Sequence, residues 1–308
     1  MDKTLLVIVG PTAVGKTSLA IHLAEHYGTE IISADSRQFY REMQIGTAAP
    51  LAAEKARIRH YFIGSISIHD YYNASMFEVD ALNRLKAIYQ LKNLAIMAGG
   101  SGMYIDAVCA GIDVLPVVDP DIRTQLQEQY RSEGIESLRI QLKMLDPEFY
   151  SKVDLRNPNR ILKALEVSIQ TGKPYSSFLT SKEKNRPFRI LKIGLTLPRP
   201  ELYHRINQRV EEMIQAGLID EARELLPYRN LNALNTVGYR EIFEYLDGTI
   251  ELDGAIELIK RNTRRFAKRQ MTWFNRDDQI HWFHPASPGI ILDFLDTQLK
   301  NGTTGNNT

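Results

Sequence analysis

The 308-residue chain has a single cysteine, Cys109, which excludes a disulfide framework and any cysteine-built zinc site and fits a reducing compartment. No basic residue or histidine flanks it, so Cys109 reads as a small core residue rather than a nucleophile. An excess of charge of either sign is also missing. The formal net charge is +1, so any polyanionic partner has to be recognised by a local patch. No segment reaches membrane-spanning length, and the apolar run Leu5–Val9 is too short for a secretory signal. A cytoplasmic protein is expected. There are no internal repeats, and no Asn-Lys-x-Asp run of the kind that specifies guanine. The rest, 44% hydrophobic and 24% charged, describes an ordinary globular chain, long enough for one large core or a core plus a smaller unit.

What is present starts with Gly10, Pro11, Thr12, Ala13, Val14, Gly15, Lys16 and Thr17. This is the G-x-x-x-x-G-K-[ST] spacing of a P-loop, set between an apolar strand-like run and a helix-like segment, Ser18–Tyr27. Gly10 and Gly15 let backbone N–H groups turn around an oxyanion, Lys16 supplies charge, and Thr17 supplies a hydroxyl suited to Mg²⁺. The chain therefore binds a di- or triphosphate. Residues 30–34 and 94–98 read as further buried strands, with a helix over Phe77–Leu91 between them. Strands alternating with helices predict an α/β fold, a P-loop core with a parallel sheet flanked by helices. From Pro116 to about Arg186 only helical spacing appears, which predicts an all-helical insertion, residues 116–186. The flanks, 1–115 and 187–300, form the core. A strand over Arg189–Leu197 is expected to rejoin the sheet, the final third to be helical, and the tail 301–308 to be disordered.

Four groups of residues carry candidate chemistry. Asp35 stands just past the second strand, where a carboxylate can take a proton from a substrate held over the sheet's edge. The third strand ends not in the Walker-B acid of many NTPases but in Gly99-Gly100-Ser101-Gly102, which argues against nucleotide hydrolysis and offers the Ser101 hydroxyl. Arg205 and Arg209, with Arg199 and His204 nearby, lie on one helix from which an arginine reaches back to a phosphate; spacing does not choose among them. Arg261, Arg264, Arg265, Lys268 and Arg269 share one helical face, and no acid occurs from Lys260 to Arg276. Trp273 and Phe274 follow, suited to core packing or to stacking on a base. This face points to nucleic acid.

The P-loop, Asp35-Ser36-Arg37-Gln38 with Tyr40, and Ile45-Gly46-Thr47-Ala48 with Pro50 together resemble tRNA dimethylallyltransferases. Gly99–Gly102 with Tyr104, Asn157–Glu166 with Arg160, Val237-Gly238-Tyr239-Arg240, and Lys268-Arg269-Gln270 with Thr272-Trp273 continue the match in order. The resemblance implies transfer of a dimethylallyl group from dimethylallyl diphosphate to N6 of the adenosine immediately 3′ of a tRNA anticodon. It also implies Mg²⁺ at Thr17, the anticodon stem-loop as partner, and a P-loop core carrying a helical insertion. By position, Thr12–Thr17 hold the diphosphate with Arg209, and Asp35 is the proton acceptor. Asp35, Ser36, Arg37 and Gln38 line the base. Ser101, Arg123, Asn159, Arg160, Ile161, Leu162 and Lys163 touch tRNA, as do Gly238, Tyr239, Arg240 and the stretch holding Arg264, Arg265, Lys268, Arg269, Gln270 and Trp273. Ser101 stands where threonine is common, Ala49 where lysine is often found, and the eukaryotic Cys/His extension is missing, which points to a bacterial form. A P-loop kinase and a free-adenylate prenyltransferase are the alternatives. A monomer is expected.

Overall fold

The computed structural model describes residues 3–113, 115–180 and 184–301. One compact unit takes the chain up to Ala110 and again from Asn185; a second takes Gly111–Lys184.

The first unit is built on a six-stranded, wholly parallel sheet. Its strands are β1 (Thr4–Val9), β2 (Ile31–Ser33), β3 (His60–Tyr61), β4 (Leu94–Ala98), β5 (Arg189–Leu195) and β6 (Ile280–Phe283), in the order β3-β2-β4-β1-β5-β6. β1 is buried along its length, which is why it reads as an unbroken apolar run. Its side chains alternate between two cores: Leu6 and Ile8 join one, Leu5, Val7 and Val9 the other. The register that sets Ile8 and Ser33 each beside Ala98 brings the C-terminal ends of β1, β2 and β4 level. The loops that follow these strands must therefore meet.

Helices α1 (Lys16–Tyr27), α2 (Ala52–Arg57), α3 (Ala74–Leu91) and α4 (Gly102–Cys109) connect the early strands. The Asn73 side chain starts α3 by accepting from the N–H groups of Ser75 and Met76, at 2.9 and 3.0 Å. Cys109 is buried at the end of α4, and burial pushes its thiol up to about 12, as a core residue requires.

The second unit comprises α5 (Pro120–Glu133), α6 (Ile135–Leu145), α7 (Pro147–Lys152) and α8 (Pro158–Thr171), with no strand among its described residues. Asp119 and Asn157 cap α5 and α8, each followed by proline in the first helical turn, and Gly172 ends α8 at φ 65°. Leu126, Leu138, Leu142, Ile161 and Leu165 form its core.

The first unit resumes with β5 and then α9 (Arg199–Gln215), α10 (Leu218–Leu225), α11 (Tyr239–Leu246) and α12 (Leu252–Phe274). The final third is not purely helical. β6 adds a parallel edge strand beside β5, and its Trp282 ring lies where a Cβ on Gly194 would come within 2.5 Å. Four residues give too little alternation to register as a strand in the sequence, whereas packing against β5 supplies the rest. α13 (Pro288–Asn301) follows. The tail from residue 302 onward, expected to be disordered, lies outside the described residues.

Candidate active site

Gly10 has φ 144°, and a Cβ there would stand 2.6 Å from the Leu195 carbonyl oxygen, so both conformation and space demand glycine. Gly15, at φ 107°, hands the loop to α1. Between them Ala13 takes φ 65°, a left-handed conformation that costs a non-glycine residue about 1–2 kcal/mol and tends to be kept in ligand-binding loops. Val14 is buried beneath the loop. Lys16 Nζ donates to the Pro11 carbonyl at 2.8 Å. Burial pulls its pKa down to about 8, with the Asp35 charge opposing and the Arg209 charge adding. Arg209 arrives from α9 and its Nη1 reaches Thr12 Oγ1 at 3.5 Å; burial also lowers its pKa.

Past β2 the chain turns at Asp35. The Gln38 N–H donates to the Asp35 carbonyl and the Arg37 N–H to Asp35 Oδ1, both at 3.1 Å, which fixes the carboxylate. β4 comes so close that a Cβ on Gly99 would lie 2.2 Å from the Ala34 oxygen. Ser101 Oγ accepts from the Ser36 N–H at 2.9 Å and lies 3.1 Å from Ser36 Oγ.

These loops surround one open cleft of about 870 Å³, mouth included. Its polar wall holds Thr12, Lys16, Thr17, Asp35 and Arg209. Ala20, Ile31, Ile63 and Ala98 give it an apolar side. His60 also lines the cleft, with Nδ1 2.8 Å from the Ile58 carbonyl, which places a proton on Nδ1; burial lowers the ring's pKa. The segment that leads into the rim residues Thr47 and Ala48 is fastened from α10. Glu221 Oε2 accepts from the N–H groups of Gln44 and Ile45, and its Oε1 accepts from Gly46 N–H and from the Tyr239 hydroxyl at 2.6 Å. A phosphate-binding loop, an aspartate and an apolar wall thus face one space.

The model of the IPP transferase family matches residues 38–277. The chain belongs to that family. It is 51% identical over 298 residues to tRNA dimethylallyltransferase 1 of Bacteroides fragilis, covering 97% of this chain and 99% of that protein. Its fold matches the crystal structure of the full-length tRNA isopentenylpyrophosphate transferase from Bacillus halodurans, at TM-score 0.72 and 35% identity, over 98% of both chains. It also matches a eukaryotic dimethylallyltransferase crystallised acting on tRNA, at TM-score 0.73 and 25% identity, over 92% of this chain and 74% of that one.

Several side chains stand differently from the sequence expectation. Thr12 spends its N–H on Gln270 Oε1 at 2.9 Å, so only its hydroxyl is left for an anion. Arg37 turns away from the cleft and donates to the carbonyls of Asn232, Ala233 and Asn235, anchoring that turn. Gln38 lines the cleft, but its Nε2 is taken by the carbonyls of Thr47 and Ala48. Ser101 shapes the Asp35 turn through Ser36, which makes it a positioning group here.

Ile161 and Leu162 are buried in the second unit's core, because α8 needs them to cover α6; neither side chain is available to RNA. Asn159 and Arg160 are exposed, while Arg123 and Lys163 flank the buried Glu166 at 3.4 and 3.7 Å. Gly238 and Tyr239 are buried as well, with the tyrosine hydroxyl held by Glu221, and of that trio only Arg240 is exposed. On α12, Arg265, Lys268 and Arg269 are exposed, and Arg264 is half-buried with Nη1 2.7 Å from Asn207 Oδ1. Gln270 is buried, on the helix's inner side. Trp273 is half-buried, its Nε1 donating to Asp106 Oδ2 at 2.9 Å. The apolar wall, the Glu221 anchor and His60 were missed. His60 and Ile63 lie in the mixed composition of residues 45–66, and Glu221 reads as an ordinary helix carboxylate until its distant partners are in place.

Proposed function

We propose that this chain transfers a dimethylallyl group from dimethylallyl diphosphate to N6 of the adenosine immediately 3′ of a tRNA anticodon, giving N6-isopentenyladenosine and diphosphate. The observation that carries the reading is the sharing of one cleft by Asp35 and the P-loop, with apolar side chains also in its lining. Adenine N6 is a poor nucleophile because its lone pair is delocalised into the ring. It gains from a base within hydrogen-bond reach, and a base stacked in an RNA loop has to be drawn out to meet one. Asp35 accepts the N6 proton as the new C–N bond forms. The C–O bond to the diphosphate breaks on the other side, and its electron pair leaves with the diphosphate. Lys16, Arg209 and the P-loop N–H groups are arranged for that growing negative charge. An allylic carbon tolerates developing positive charge, so no covalent enzyme intermediate is needed. Ala20, Ile31, Ile63 and Ala98 suit the five-carbon tail.

Thr17 lines the cleft in the first turn of α1, and among the described residues no cluster of three His, Cys, Asp or Glu side chains could hold a metal by itself. This donor set fits Mg²⁺, which keeps water and takes substrate phosphate oxygens alongside few protein ligands. When bound, Mg²⁺ would neutralise charge on the diphosphate. The proposal includes a monomeric enzyme acting in the cytoplasm; no described helix is long and apolar enough to cross a membrane.

Incubating the protein with labelled dimethylallyl diphosphate, Mg²⁺ and either tRNA or AMP tests the reading. Label is expected in tRNA alone; label in AMP, or consumption of ATP instead, would overturn it. The Lys16 charge sets the pH dependence. With its free-site pKa near 8, the ammonium that grips diphosphate is present below that pH and lost above it. The kcat/KM for the donor is therefore expected to be flat on the neutral side and to fall as pH rises through about 8, whereas kcat holds to higher pH because bound diphosphate stabilises the ammonium. The exposed Lys268 and Arg269 give a further check. Changing both to alanine should weaken tRNA binding and lower the slope of log K against log salt by roughly 1 per lost phosphate contact.

A further inference from the structure

Gln270 sits on α12 beside the exposed Lys268 and Arg269 but points the other way, into the protein. Its Oε1 accepts the Thr12 N–H of the P-loop and its Nε2 donates to the Gly100 carbonyl, both at 2.9 Å. No other hydrogen bond joins α12 to the P-loop among those the described residues show. A Cβ on Gly100 would lie 2.2 Å from that same Nε2, so the glycine is shaped around the amide. The next residue, Ser101, accepts from Ser36 N–H and donates its own N–H to the Ala34 carbonyl at 3.2 Å, on either side of Asp35. On the other side Thr12 faces Arg209. One turn further along α12, Trp273 repeats the arrangement: its ring fills the space over Gly102, and its indole N–H is held by Asp106.

We propose that Gln270 is a positioning residue that sets the diphosphate cradle and the Asp35 turn in register with each other, and that couples both to the RNA-facing surface of α12. The inference rests on the transfer reaction proposed above and assigns Gln270 a task other than touching tRNA. A neutral amide offers an acceptor to an N–H and a donor to a carbonyl at once. Removing both bonds leaves the Thr12 N–H and the Gly100 carbonyl free to drift, and a displacement of about 1 Å between reacting groups costs about 100-fold in rate. Seating tRNA on α12 bears on the helix that carries the amide, so tRNA and donor are expected to strengthen each other's binding through it.

The test compares wild type with Gln270→Met, which keeps the volume and loses both bonds, and Gln270→Glu, which keeps only the acceptor for Thr12. Gln270→Met is expected to lower kcat 10- to 100-fold, to raise the KM for dimethylallyl diphosphate, and to leave the Kd for the anticodon stem-loop unchanged. The tightening of donor binding by saturating stem-loop, measured by calorimetry in wild type, should vanish in Gln270→Met. Gln270→Glu should recover the donor KM but not kcat. A raised stem-loop Kd with unchanged donor KM would make Gln270 an RNA contact and overturn the proposal. A lower Tm with unchanged kcat, KM and coupling would make it a packing residue and overturn it equally. An inactive wild type would instead remove the transfer reaction itself.

Discussion

Asp35→Asn is expected to lower kcat about 10²–10⁴-fold while leaving the Kd for tRNA unchanged. Asparagine is the informative replacement because the Asp35 Oδ1 already accepts the Arg37 N–H, and an amide oxygen can keep that bond. The turn from Asp35 to Gln38 then survives, as does the Ser36–Ser101 pairing behind it. What is lost is basicity: an amide cannot take the proton that N6 must shed. Alanine would confound the two, since it frees the Arg37 N–H as well. Single-turnover rates with preformed enzyme–tRNA complex separate chemistry from binding. Unchanged turnover in Asp35→Asn would falsify the assignment of the base.

Lys16→Met is the second large effect, expected to cut kcat/KM for dimethylallyl diphosphate about 10²–10³-fold. The same substitution should leave Tm unchanged or raise it. The reason is in the free site, where the ammonium is buried against the Pro11 carbonyl and its pKa has fallen to about 8. Such a fall means that the charged form is held in the protein at a cost, and methionine fills similar volume without that cost. A gain or hold in stability together with collapsed activity is the mark of a group kept for its ligand. A lower Tm with little change in kcat/KM would instead make Lys16 a structural tie for the loop. The alkaline limb near pH 8 should disappear in this variant, which links the substitution to the titration.

The sequence disclosed those parts whose constraints are local. The P-loop spacing and the buried run of β1 are each set by neighbours within a few positions. The basic side of α12 was legible for the same reason, since a helix repeats every few residues. Direction and contact were less so. Ile161 and Leu162 belong to a stretch matched to RNA contact, yet their side chains cover α6, because apolar residues of an amphipathic helix go to the core. Gln270 looks in sequence like part of a basic surface, and only the approach of two distant loops shows that it faces inward. β6 depends on β5, some 90 residues earlier in the chain by rough count, and four residues carry no periodicity able to announce that pairing. The lining by Ile31, Ile63 and Ala98 likewise exists only once β2 has paired with β3 on one side and β4 on the other.

The attachment of the rim to Glu221 has a bearing on how substrate arrives. Three successive amides, from Gln44 to Gly46, end on a single carboxylate that also receives the Tyr239 hydroxyl, and a Cβ at Gly46 would collide with that ring at 2.6 Å. This stretch has its hydrogen bonds complete before anything enters. An incoming prenyl donor therefore spends none of its affinity on freezing a floppy border. On that side the border takes its shape from Glu221 and Tyr239 rather than from the donor.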